Sequence, residues 1–155
     1  MARRPDAALE VALEQRQETF QQAQQVLSAR ELALHQQAQA LFVAQSRVRM
    51  VLGQIDAAQR PLPGVPLAVG VLGDLETLLD WCEVEVMVQH ERLQAVQADA
   101  DEARGWMASA HQAVRALEGV LAKRAAERAE AKRRVELRDA DEIAARVHAR
   151  QVSAA

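Results

Sequence analysis

The sequence has little of what builds a thick globular core. Its 155 residues include two Phe, two Trp, no Tyr and one Cys, and aromatic residues make up 3% of the chain. The apolar half therefore consists mostly of Ala, Leu and Val, which suits long helices better than a broad core. A single cysteine excludes an internal disulfide, and its place in an apolar heptad predicts that Cys82 is buried and reduced.

High net charge and long apolar runs are also absent. The net charge is −3 and the pI is about 5.8, so the chain as a whole is no general nucleic-acid binder. The longest charge-free runs, 32–46 and 61–73, are too short or too polar to span a bilayer. Glu10 and Glu14 interrupt the apolar region that a signal peptide would need. We therefore expect a cytoplasmic protein with no segment inserted in a membrane.

Proline and glycine are rare outside one stretch, residues 59–73, which holds three of the four prolines and three of the six glycines. These residues interrupt helices, so the stretch predicts a turn between a helix over 6–58 and a second helix over 74–150. Asp6 and Asp74 stand where the N-caps of the two helices are expected.

The second helix carries a long heptad seam. Apolar residues recur in alternating steps of four and three, and Gln89 is the only polar member. A helix with one narrow apolar stripe needs a partner helix of similar length. The seam consists of Leu75, Leu79, Cys82, Val86, Gln89, Leu93, Val96, Ala100, Ala103, Met107, Ala110, Val114, Leu117 and Leu121.

The first helix supplies that partner. One position in seven is large and apolar, and a weaker companion row holds small or polar residues. Folding back at the turn brings residue i opposite roughly residue 132 minus i, so the prediction is an all-α, antiparallel coiled-coil hairpin. The many glutamines are interpreted as a solvated face. The strong row is Leu13, Phe20, Leu27, Leu34, Leu41, Val48 and Ile55, and the weak row is Arg16, Ala23, Arg30, Gln37, Ala44 and Val51.

Beyond about residue 123 the seam becomes polar, which predicts an unpaired helical overhang supported by pairs such as Glu130 with Arg134 and Glu142 with Arg146. Residues 61–122 carry three bases and ten acids, whereas residues 123–155 carry nine bases and six acids. The two ends therefore suit different partners. The apolar turn residues either fold back on the helices or form a docking surface.

Residues that would support catalysis are missing. The four histidines have no partner at metal-ligand spacing, and the sequence contains no glycine-rich phosphate loop and no nucleophile elbow. A two-helix hairpin also offers no enclosed pocket in which to shift a carboxyl pKa. We expect neither an enzyme nor a cofactor or metal. The basic segment lacks interleaved aromatics and follows the seam, which argues against nucleic-acid binding.

The C-terminal part resembles a known family. The runs LEGVLAKR at 117–124 and ERAEAKRR at 127–134, followed by Leu137 and DEIA at 141–144, are similar to the end of the flagellar export protein FliJ family, which has injectisome relatives. Specific residues match only over 117–146, whereas the two-helix architecture covers the whole chain. The long apolar turn and the lack of tyrosine depart from the family pattern.

The resemblance implies a stalk-like protein of the type III export apparatus, located in the cytoplasm at the inner membrane. Its terminal end would enter and promote the hexameric export ATPase, its turn half would contact the cytoplasmic domain of the export gate, and export chaperones would be further partners. The ATPase-side candidates are Arg124, Glu127, Arg128, Arg133, Arg134 and Glu142. The gate-side candidates are Gln37, Phe42, Gln45, Trp81, Glu85 and His90.

Two alternatives stay open at this point. One is a self-associating structural coiled coil whose turn is buried between copies. The other is a chaperone that holds export substrates on its apolar turn. Flagellar and injectisome membership are not distinguished by these residues.

Overall fold

The computed structural model describes residues 4–154 and consists of two long α-helices. Helix α1 comprises Ala7–Gln59, with 53 residues, and helix α2 comprises Val69–Ser153, with 85 residues. No strand occurs within the described part of the chain. The predicted all-α class is confirmed.

Proline placement explains where α1 begins and ends. All four prolines lie outside the helices, at position 5 and within the turn. The first turn of α1 is closed by the amide of Glu10, which donates to the carbonyl oxygen of Asp6 at 2.9 Å. At the other end, Pro61 disfavours helical geometry at the residue before it, so the helix stops at Gln59.

The turn is shorter than predicted, because α2 begins at Val69 and not at Asp74. The amide of Leu72 already donates to the carbonyl oxygen of Ala68 at 3.1 Å. Gly70 and Gly73 lie inside the helix, where each costs up to about 1 kcal/mol relative to Ala but breaks no hydrogen bond. The prediction of Asp74 as an N-cap was therefore wrong. Within residues 60–68, Gly64 has a φ of 83°, which glycine adopts without strain.

The chain divides into two compact units, and both helices contribute to each of them. The unit formed by residues 21–109 contains the turn and pairs the helices in antiparallel fashion. Arg30 Nη1 lies 3.6 Å from Asp99 Oδ2, and Glu31 Oε1 lies 3.6 Å from Arg104 Nη2. These partners fall within one helical turn of the predicted register, which places 102 and 101 opposite residues 30 and 31.

The other unit joins residues up to 20 with residues from 110 onward. The ring of Phe20 stacks on that of His111 with centroids 5.1 Å apart and planes inclined by 23°. The predicted register placed residue 112 opposite Phe20, so it holds in this unit as well. Asp6, whose predicted opposite is residue 126, contacts Arg124 and Arg128 on either side of that position.

The predicted seam of α2 is confirmed position by position. Each of its 14 members, from Leu75 to Leu121, is buried or half-buried. On α1 the large apolar row is half-buried throughout. The companion row, interpreted from the sequence as weak, instead supplies the most buried residues of α1, namely Ala23, Ala44 and Val51.

Candidate partner-binding surfaces

The structure places the predicted ATPase-side residues in two different environments. Arg124 and Arg128 are engaged with α1, whereas Arg133, Arg134 and Glu142 lie on the part of α2 that no other segment covers. Glu127 is exposed beside the first group. The helix pairing thus extends to about Arg128, five residues beyond the predicted start of the overhang.

Asp6 is the side chain that holds Arg124 and Arg128. Its carboxylate is 7% exposed and accepts hydrogen bonds from Arg124 Nη1 at 3.3 Å and from Arg128 Nη1. The hydrogen bond from Arg128, assisted by Arg124, lowers the pKa of Asp6 even though burial acts in the opposite direction. The predicted role of this side chain as an N-cap is replaced by an ion pair between the helices.

Beyond these contacts α2 continues as an isolated helix. Every described residue from 131 to 154 is exposed. Both predicted intrahelical pairs are present, with Arg134 Nε 3.0 Å from Glu130 Oε1 and Arg146 Nη2 3.6 Å from Glu142 Oε2. Glu130 also accepts two hydrogen bonds from Arg133. These bonds are the main cause of the lowered pKa of Glu130, and the bond from Arg134 adds to it. Arg133 and Arg134 therefore share one carboxylate, which leaves this segment basic.

On the gate side, Gln37 lies in the helix interface. Its Nε2 donates to Gln89 Oε1 at 2.7 Å and to the Gln89 carbonyl oxygen at 3.1 Å. Gln89 Nε2 in turn donates to Glu85 Oε1 at 2.6 Å. The one polar residue of the seam is thus satisfied by a cross-helix amide pair, and Gln37 is occupied by that contact instead of lying on the solvated face predicted for the glutamines.

Phe42 and Trp81 are the most exposed aromatic residues, at 62% and 73%. Trp81 and Glu85 are brought together in a shallow depression that Ala44 and Arg47 also line. Phe42 lies instead under the guanidinium group of Arg49, with the Arg49 Cζ atom 5.7 Å from the ring centroid. The two aromatic side chains are thus separate contact points and do not form one pocket.

The remaining gate-side residues are dispersed. Gln45 lines a different depression, together with Val48, Glu83 and Val86. His90 is exposed, and its Nε2 lies 3.3 Å from Gln94 Nε2. Trp81 and Glu85 therefore share one depression, and Gln45 lies in another.

The turn does not fold back on the helices. The apolar side chains of the turn and of the first residues of α2 are exposed, and Leu72 alone is half-buried. Of the two arrangements left open by the sequence, folding back on the helices is not observed, and the apolar side chains of the turn are accessible. The turn surface consists of Leu62, Val65, Leu67, Val69 and Val71.

The contact of Asp6 with Arg124 and Arg128 was not predicted, although the register pointed to it. The predicted register already put residue 126 opposite Asp6, so the arginines two residues to either side were within reach.

Within residues 4–154, no cluster of His, Cys, Asp or Glu side chains could hold a metal ion. Over the same range, neither helix contains a stretch long and apolar enough to cross a lipid bilayer.

Comparison with known proteins identifies no relative. No protein-family model, no curated protein and no solved structure matches the chain.

Proposed function

We propose that the chain is a non-enzymatic stalk or adaptor of a flagellar type III protein export apparatus. It binds and promotes the hexameric export ATPase through the C-terminal part of α2, and it contacts the cytoplasmic domain of the export gate through the half that contains the turn. It acts in the cytoplasm, peripherally at the inner membrane, and export chaperones are additional partners.

The observation that carries the proposal is the isolated C-terminal part of α2. More than twenty residues continue as a helix with every side chain exposed. In proteins most helical stability comes from packing of one face against other segments, so a segment without such packing gains stability when a partner surrounds it. A cavity at the centre of a ring-shaped partner would provide that surrounding surface.

Charge defines what the ATPase side can recognise. Residues 123–155 carry nine bases and six acids, and Arg133 and Arg134 share a single carboxylate. The matching surface on the partner is acidic, because complementary potentials favour and orient encounter. Arg124 and Arg128 contribute less to such a contact, because Asp6 already accepts their hydrogen bonds.

The half with the turn calls for a different partner chemistry. From 61 to 91 the sequence has six acidic residues and no Lys or Arg, and the turn surface and Trp81 are exposed beside them. On α1, Arg47 lies beside Trp81 and Arg60 directly precedes the turn. Such a surface fits a partner with apolar pockets and charged residues of both signs around them. The cytoplasmic domain of the export gate is proposed as that partner.

The test is the ATP hydrolysis rate of the cognate export ATPase with added full-length chain, with a chain ending at Ala131, and with the double variant Arg133→Glu/Arg134→Glu. Ending the chain at Ala131 keeps the Asp6 ion pairs and removes only the isolated helix. Stimulation by the full chain, lost in the other two, is the expected result. Equal rates with and without the full chain, at concentrations where the ATPase assembles, would reject the proposal.

A matched control changes the opposite surface. Replacing Leu62, Val65 and Leu67 by Ser leaves the isolated helix intact, so ATPase stimulation should be retained. Binding to the gate domain should instead be weakened in this variant.

The exposed turn surface favours a second candidate, a chaperone that holds export substrates on that surface. Such a protein would lose substrate binding on the Ser substitutions at Leu62, Val65 and Leu67 and would keep it when shortened to Ala131. The stalk proposal predicts the opposite pattern for ATPase stimulation. A scaffold whose turn is buried between copies would be recognised by oligomers that dissociate in the same Ser variant.

A further inference from the structure

The isolated part of α2 carries an apolar stripe of its own. Leu137, Ala140, Ala144 and Val147 recur in steps of three and four, and Ile143 lies beside them. The side chains of Leu137, Ile143 and Val147 are 53%, 62% and 48% exposed. Contact with α1 ends before this stripe begins, since the last ion pairs with Asp6 are made by Arg124 and Arg128.

This stripe is not a continuation of the seam that packs on α1. Extending the seam in the same steps leads through Ala131, Val135, Arg138 and Glu142, and the stripe is two residues out of step with that series. Two residues correspond to about 200° around an α-helix. The apolar stripe therefore lies on nearly the opposite face of α2, and a longer α1 would not cover it.

We propose that a second copy of this chain covers the stripe, as an antiparallel pair of the two C-terminal segments about a two-fold axis. In that arrangement Leu137 meets Val147 of the second copy, and Ala140 meets Ala144 of the second copy. Ile143 lies next to its own counterpart at the axis. The apolar steps of three and four are those of a coiled-coil interface, and the alanines permit close approach of the backbones.

The distribution of charge favours a second copy of the chain as the partner and an antiparallel pairing of the two segments. The antiparallel register sets Glu136 opposite Arg150 of the second copy, and symmetry repeats the pair. Within residues 4–154, Arg150 has no acidic side chain at ion-pair distance, and Glu136 has only Lys132, with Nζ 3.9 Å from Oε1. A parallel pair would instead set Glu136 opposite Asp141 of the second copy, which is repulsive.

The dimer should be weak. The stripe spans about three helical turns, so the interface falls below the roughly 1,200 Å² of standard protein–protein contacts. Asp141 also lies close to its counterpart near the axis and opposes association. The inference does not depend on the proposed function. If both hold, the dimer hides the segment that binds the ATPase, and self-association and ATPase binding exclude one another.

Sedimentation velocity of the full chain over a range of concentrations tests the proposal. The wild type should shift toward a dimer as concentration rises, and Ile143→Asp should remain monomeric. The matched control is Val135→Asp, which changes an apolar residue that is also more than half exposed but lies on the seam face, and it should dimerise like the wild type. Circular dichroism verifies that both variants retain their helix content. A monomeric wild type throughout, or loss of the dimer in both variants, would overturn the proposal.

Charge reversal supplies a second, independent readout. Glu136→Arg and Arg150→Glu should each weaken dimerisation, and the double variant Glu136→Arg/Arg150→Glu should restore it. Additive weakening in the double variant contradicts the pairing of these two residues.

The direction of pairing is tested by disulfide cross-linking in a Cys82→Ser background. A mixture of Leu137→Cys and Val147→Cys chains should cross-link, whereas Leu137→Cys alone should not. Cross-linking of Leu137→Cys with itself would show a parallel dimer and refute the proposed geometry.

Discussion

Gln37 on α1 and Gln89 on α2 are joined across the helix interface by an amide hydrogen bond of 2.7 Å. A polar residue at a seam position commonly fixes register at some cost in stability. Here Gln89 is 9% exposed, and its amide nitrogen donates to Glu85. The apolar seam is otherwise repetitive. If α1 slid along α2 to another register, the buried amide of Gln89 would lose its partner, so this pair favours the observed register.

A double-mutant cycle on Gln37→Ala and Gln89→Ala should show a coupling free energy of about 1 kcal/mol, because each single variant removes the same hydrogen bond. Urea unfolding followed by circular dichroism provides the four free energies. Gln36→Ala, at an exposed neighbouring position, serves as the control and should show no coupling with Gln89→Ala. Additivity for Gln37 and Gln89 would mean that the amide contact does not stabilise the interface.

Ala23→Leu should destabilise the helix pairing by about 1–3 kcal/mol, since overpacking a closed contact forces side chains or backbone to move. Ala23 has no exposed surface. Ala38→Leu makes the same chemical change at an exposed position on α1 and should alter the free energy of unfolding by no more than about 0.5 kcal/mol. Equal effects of the two substitutions on urea unfolding would show that the row containing Ala23 is not closely packed.

Val51→Ala should lower the free energy of unfolding by about 2 kcal/mol, from the lost apolar burial and the space left behind. Val51 is the largest side chain among the fully buried ones in the described residues. Val43→Ala is the matched control, because Val43 is about half exposed on the same helix. We expect the urea midpoint to fall clearly for the first variant only, and similar midpoints would place Val51 outside the interface.

Asp6→Asn should lower the thermal unfolding midpoint at neutral pH and have little effect in acid. The pKa of Asp6 is lowered in the folded chain by Arg128 and Arg124, so its contribution is fully present above the unfolded pKa of about 3.9 and is lost as pH falls through the folded value. Thermal melts of both proteins from pH 7 down to pH 2 measure the difference.

Glu10→Gln is the control for this titration, because Glu10 is exposed in the first turn of α1. It should change the midpoint little at any pH. A midpoint difference between wild type and Asp6→Asn that stays constant with pH would show that the ion pair is not its source.

Much of the fold follows from the sequence because heptad spacing is a geometric constraint. The seam from Leu75 to Leu121 and the register around Phe20 could be predicted, since a slip would expose apolar residues. The start of α2 could not, because Gly70 and Gly73 are compatible with both a turn and a helix. Nor could the burial of Ala23 and Ala44, because an alanine beside a heptad row is compatible with a close contact and also with an exposed position.

The candidate surfaces were predicted less completely. Exposure of Phe42 and Trp81 could be inferred from their positions one step off the heptad rows. Gln37 stands in the companion row of α1, but the predicted register places residue 95 opposite it, so its contact with Gln89, six residues away, could not be predicted. The pairing of Asp6 with Arg124 and Arg128 joins residues about 120 positions apart in sequence. Predicting it requires a helix register that is accurate to within a single helical turn.

The exposed turn also affects the association of the two helices. Residues 60–68 are all exposed, and a Cβ atom added at Gly64 would have no neighbour within 4 Å, so this segment acts mainly as a tether that keeps α1 and α2 at a high effective concentration. A single proteolytic cut there would leave the seam intact but make the pairing of the helices bimolecular. Its strength would then depend on how dilute the two fragments are.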